Sequence, residues 1–132
     1  MISEQEKKQS LWLWSGDIGM IALVTIVGFS THNELGIAGS RILTTFIPLL
    51  AAWLIVGLPA RLFDLQYAVQ GRQLWRPVWG MIVAGPLAAL IRALILGNRP
   101  IFPVFALVLA GVGTVAMLAW RCVLYFLLRG KR

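Results

Sequence analysis

Five polar side chains stand where most of the chain is apolar: Asp17, Ser30, His32, Arg92 and Arg121. Asp17 interrupts the stretch LWLWSGDIGMIALVTIVGFSTH, residues 11–32. A carboxylate in such a setting points to a proton, an ion or a partner charge. Arg92 and Arg121 are cations embedded in the same way, and each such charge costs roughly 2.5–3.5 kcal/mol at mid-helix in a bilayer. Ser30 and His32 are the types that make a nucleophile and its base, but they sit one residue apart with no paired carboxylate beside them. Hydrolytic chemistry needs a nucleophile, a base and a group that orients the base. One histidine and one cysteine, Cys122, cannot build an imidazole or thiolate metal cage. The sequence therefore predicts a non-enzyme with no metal and no cofactor.

The elements that must position these residues follow from composition. The chain has 132 residues, of which 59% are hydrophobic and 13% charged, and its mean hydropathy is +0.82. Those values lie outside the soluble globular range. A helix crosses a hydrocarbon core in about 20 apolar residues, and four stretches of that kind occur, at 11–29, 42–60, 77–96 and 101–128. The predicted fold is all-α, an integral membrane four-helix bundle. A polar head at 1–10, expected to fray, precedes a single four-span domain at 11–132. MISEQEKKQS mixes acids with lysines, and no small-residue cleavage site follows the apolar run, so the first span reads as retained.

Pro48 in TTFIPLLAAW and Gly85-Pro86 in the third stretch mark expected bends. Segment 61–76, RLFDLQYAVQGRQLWR, mixes apolar and charged residues and suits a short interfacial helix or a loop on headgroups. The connection GNRP, 97–100, is so short that the third and fourth spans must be antiparallel neighbours. The fourth span is longer than the core needs, so it is expected to tilt or to begin in the interface.

Net charge is +7. In a soluble protein this would suggest nucleic acid, but the basic residues cluster at span ends and no recognition-module pattern occurs. Lys7, Lys8, Arg61, Arg72, Arg76, Arg129, Lys131 and Arg132 lie on one side, whereas Arg41 and Arg99 lie on the other. The positive-inside rule then predicts cytoplasmic termini, in the inner or plasma membrane of a cell. Trp12, Trp14, Trp75 and Trp79 fall near the same inner boundary, where indoles anchor.

Depth along a helix follows from its rise of about 1.5 Å per residue, which puts Asp17 about 9 Å and Arg121 about 12 Å above the inner boundary. Opposite charges at matching depth suggest an Asp17–Arg121 pair, either a structural salt bridge or a proton or ion site. Arg92 sits close to the outer boundary, with Glu34, Asn33 and His32 as its nearest candidates and snorkelling to the headgroups as the alternative. Small residues lead into both cations: Ala106, Ala110 and Thr114 precede Arg121, and Gly85 and Ala89 precede Arg92. Such stripes are where membrane helices approach closely, so both arginines should face protein. Trp53 and Trp120, inside the second and fourth spans, are expected to pack.

The order of these landmarks resembles a domain-of-unknown-function family of small, four-span prokaryotic membrane proteins. The motifs are GD in the first span, Ser and His at its outer end, TTFIPLLAAW, IRAL, PVFALV and AWR. The resemblance runs from about Ser15 to Arg121, with Gly16, Asp17, Ser30, His32, Pro48, Trp53, Arg92 and Arg121 as its signature positions. In the family pattern Ser and His are adjacent after a basic residue; here Thr31 separates them and Phe29 holds the nearby place. The resemblance implies architecture and no assigned activity. The functional expectation is transport or permeation of a small solute or ion by an oligomer, and the alternative is a structural or accessory subunit of a larger membrane complex. The bilayer is the expected partner, and nucleic acid is not.

Overall fold

The computed structural model describes residues 2–31, 39–68, 70–97, 100 and 103–130. Its helices are α1 (Glu4–Thr31), α2 (Gly39–Gly57), α3 (Leu65–Ala68), α4 (Trp75–Ile95) and α5 (Pro103–Arg129), with a 3₁₀ turn, Gly71–Gln73, between α3 and α4. No strand occurs among the described residues, in keeping with the all-α expectation. His32, Asn33, Glu34 and Arg99 lie outside the described residues, as does the side chain of Ser30.

The polar head departs from expectation, because α1 begins at Glu4 instead of fraying to Leu11. The cause is a capping box. The Glu6 amide donates to Ser3 Oγ at 3.1 Å, and the Ser3 amide donates to Glu6 Oε2 at 2.9 Å. At the other boundary, α2 stops at Gly57, short of the expected Ala60. Pro59 has no N–H to donate to the Ile55 carbonyl, and the Leu62 amide closes the turn onto the Gly57 carbonyl at 3.0 Å. Segment 61–76 then becomes turn, α3, 3₁₀ turn and the start of α4. The expected bends at Pro48 and Pro86 fall within helices that continue through both.

The four long helices pack in a closed cycle, α1 on α2, α2 on α4, α4 on α5 and α5 on α1. Packing between α4 and α5 is the most extensive. Gly85 lies against Ala110, and Gly113 against Met81, so the two run antiparallel as the short connection requires. A Cβ on Gly85 would stand 2.7 Å from the Ala110 Cβ and 2.8 Å from its Cα. The missing side chain is what lets these backbones meet. The turn after α4 depends on Gly97, whose φ of 83° suits glycine.

Ile21, Leu49, Trp53, Met81 and Met117 form the main core, and Leu13, Ala68, Leu124 and Leu128 form a second cluster. The second cluster joins the first half of α1, the last turns of α5 and α3, so both chain ends share one end of the molecule. Outside, Leu23, Ile47, Ile55, Val83, Leu94, Leu107 and Val115 are exposed, whereas Asp17, Thr25, Thr45 and Arg121 are buried. Polar within and apolar without reverses the soluble pattern. It fits a helix set surrounded by lipid. Segments Glu4–Gly28, Gly71–Ile95 and Pro103–Arg129 are long and apolar enough to cross a membrane, and Arg41–Gly57 is a shorter apolar helix.

Overpacking a close backbone contact costs about 1–3 kcal/mol. Gly85→Ala should therefore lower the thermal midpoint in detergent despite alanine's better helix propensity. Gly111, whose Cβ would meet open space, supplies the control, and Gly111→Ala should leave the midpoint unchanged or raise it.

Candidate functional site: a buried carboxylate between three helices

Three helices deliver the polar cluster. Asp17 comes from α1, Trp53 from α2 and Arg121 from α5, and their exposures are 1%, 1% and 2%. Arg121 Nη2 donates to Asp17 Oδ2 at 2.7 Å, and Trp53 Nε1 donates to the same oxygen at 3.2 Å. The two embedded charges of opposite sign are thus in contact across 104 positions of chain. The pairing is through one oxygen and one nitrogen, not the two-pronged fork that arginine and carboxylate can form.

Helical periodicity explains the convergence. Leu13, Asp17 and Ile21 recur every four residues on the buried side of α1. Met117, Arg121, Leu124 and Leu128, spaced by four, three and four, share the buried side of α5. Gly16, one position before the acid, makes room for Trp120: a Cβ there would overlap the indole. The Trp120 N–H is itself buried and interacts with the Asp17 carboxylate, outside strict hydrogen-bond geometry with any acceptor among the described residues. Asp17 Oδ1 and Arg121 Nε are also buried with no hydrogen-bond partner among the described residues. The cluster is therefore paired in charge and incompletely satisfied in hydrogen bonds. Buried polar groups are normally paired, so leftover donors and acceptors at one spot set it apart from ordinary packing.

Trp53 is the component that sequence reasoning missed. It was expected to pack, and it does, with its ring edge-on to Phe63 at a centroid distance of 6.3 Å. Its indole is also the second donor to Asp17. The available signal was chemical, since a tryptophan deep in a span needs an acceptor for its N–H. Its place four residues before Gly57 puts it about 6 Å along the helix from that end, near the level of Asp17.

The other candidates lie apart from this cluster. Arg92 is half-buried on α4, its guanidinium 5.2 Å from the centre of the Phe105 ring, while its expected neighbours Glu34, Asn33 and His32 lie outside the described residues. Gly85 and Ala89 below it are buried, Gly85 against Ala110 of α5. Pro48 is fully buried in α2, while Pro86 is exposed on α4. Trp12, Trp75 and Trp79 are exposed; Trp14 instead stacks on Phe63 at 4.3 Å. Among the described residues no three of His, Cys, Asp and Glu come together as a metal set would require.

Removing one member of a buried ion pair costs about 3–5 kcal/mol, because the other charge is stranded. Arg121→Leu should lower stability on that scale, and the swap Asp17→Arg with Arg121→Asp should recover part of it. A hydrogen bond to a charged group contributes about 1.5–3 kcal/mol, so Trp53→Phe should cost that or less. Thermal unfolding in detergent, followed by circular dichroism, measures all three.

Comparison with known proteins adds family membership. No curated protein sequence and no solved structure matches the chain. A family described as a protein of unknown function (DUF3054) matches residues 14–124, a stretch that includes Asp17, Trp53, Arg92 and Arg121. With most of its length covered, including the whole buried cluster, the chain belongs to the DUF3054 family.

Proposed function

We propose that this protein is a four-span helical bundle of a prokaryotic cell membrane, with both termini cytoplasmic, that passes a small solute or ion across the bilayer as an oligomer. The observation that carries the reading is the Asp17–Arg121 pair, charged, enclosed by an apolar exterior and left with Asp17 Oδ1 and Arg121 Nε unpartnered among the described residues. Ionisable groups inside membrane helices are costly, and ion and proton pathways are among the roles that keep them there. The basic residues beside the termini and in the 61–76 segment support the orientation.

Among the described residues, the space beside the pair is small. The cleft that reaches Arg121 has about 10 Å³ of free volume, room for roughly one water. A path would therefore run between copies. Gly19 and Gly111 face open space on the outer surface, where another membrane helix could approach closely. The same outward glycines favour a second reading, an accessory subunit docked on a larger membrane complex.

Reconstituted in liposomes, the wild-type protein should dissipate an imposed proton or ion gradient faster than protein-free liposomes do. Asp17→Asn should lose that flux while keeping its helical circular dichroism. A wild type that is silent to every imposed gradient, and that migrates from its native membrane with larger, unrelated subunits, would rule transport out in favour of the accessory reading.

A further inference from the structure

A second polar feature lies between the 58–74 connection and α5, at the end of the molecule where both termini lie. Arg61, Tyr67, Gln73, Arg76 and Arg121 line a small cleft there, together with apolar residues. Three arginines line this one space, and like charges held close repel one another unless an anion joins them. Asp17 offsets the charge of Arg121 from the far side, and Asp64, on the same connection, is exposed and outside the lining.

The walls are pre-set. Arg76 Nε donates to Gln73 Oε1 at 2.7 Å, and Arg76 Nη1 donates to the Ala60 carbonyl at 3.0 Å. Its guanidinium also lies 4.2 Å from the centre of the Tyr67 ring. These two hydrogen bonds use two of the five donors a guanidinium carries. Among the lining residues, Arg121 Nε is buried and without a hydrogen-bond partner among the described residues. Arg61 has a φ of 54°, and it is the only residue other than glycine with a positive φ among those described. Its left-handed backbone closes α2 as a Schellman cap, with the Leu62 amide donating to the Gly57 carbonyl at 3.0 Å and the Arg61 amide to the Leu58 carbonyl at 3.2 Å.

We propose that this cleft is an anion site that takes one oxygen of a phosphate group, with Arg61 and Arg76 on its walls and Arg121 at its floor. The free volume of about 10 Å³ admits a single oxygen-sized atom, so the rest of the ligand lies outside, among the headgroups. Arginine is the residue whose planar fork matches phosphate. The phosphate belongs either to an anionic lipid of the adjoining leaflet or to free inorganic phosphate. The inference does not depend on whether the protein transports anything.

The test uses full-length protein in dodecyl maltoside, whose headgroup has no phosphate. Inorganic phosphate is titrated calorimetrically. In parallel, native mass spectrometry compares retention of phosphatidylglycerol with that of diacylglycerol, which has the same chains without the phosphate. Arg61→Asn removes the guanidinium yet tolerates the left-handed backbone, and Arg61→Lys keeps the charge without the fork. Saturable phosphate binding that weakens about 10-fold or more in Arg61→Asn, and less in Arg61→Lys, supports the site with a free anion as ligand. Retention of phosphatidylglycerol over diacylglycerol, reduced in the same order, supports it with lipid as ligand. Binding of neither probe, or binding equal in wild type and both variants, overturns it.

Discussion

A carboxylate enclosed by apolar helices must find donors within the chain, and that requirement organises the protein around Asp17. Its Oδ2 accepts from α5 through Arg121 and from α2 through Trp53. The helix that carries the acid is thereby tied to two neighbours at one depth. Sliding α1 by a turn, about 5.4 Å, would break both bonds and strand two charges. Apolar packing alone sets register weakly in lipid, because the solvent competes equally for apolar surface. The polar cluster supplies the register that hydrophobicity does not.

The remaining helix is held by a different force. α4 has no part in the charge cluster and meets α5 through missing side chains, Gly85 against Ala110 and Gly113 against Met81. Close backbone approach maximises dispersion contacts, each small and collectively large. The cycle of four helices thus combines charge and indole bonding on the α1 side with tight steric fit on the α4 side. Trp53 touches both regimes, since it donates to Asp17 and also packs close to Gly80 of α4.

The cluster and the arginine-lined cleft share Arg121. On one side its Nη2 meets Asp17; on the other the residue closes the floor of a cleft that opens among Arg61 and Arg76. One cation therefore faces an internal acid and an external anion site. An anion in the cleft would compete with Asp17 for the same guanidinium, a physical link between the headgroup region and the buried pair.

By itself the sequence determined the helical content, and it suggested the Asp17–Arg121 pairing that the structure shows. Each is a matter of one-dimensional pattern: run length against membrane thickness, and depth counted along a regular helix. The start of α1 is legible too, in Ser3 and Glu6 at capping-box spacing, although the polar composition of the head suggests fraying. Only the tertiary structure decided that Trp53 is a donor, that Trp14 leaves its anchoring role to stack on Phe63, and that Arg61 and Arg76 line one cleft with Arg121. Those facts depend on how far each helix is rotated about its axis and on the path of the irregular 58–74 connection. Period and depth constrain neither, and the contacts between helices settle both.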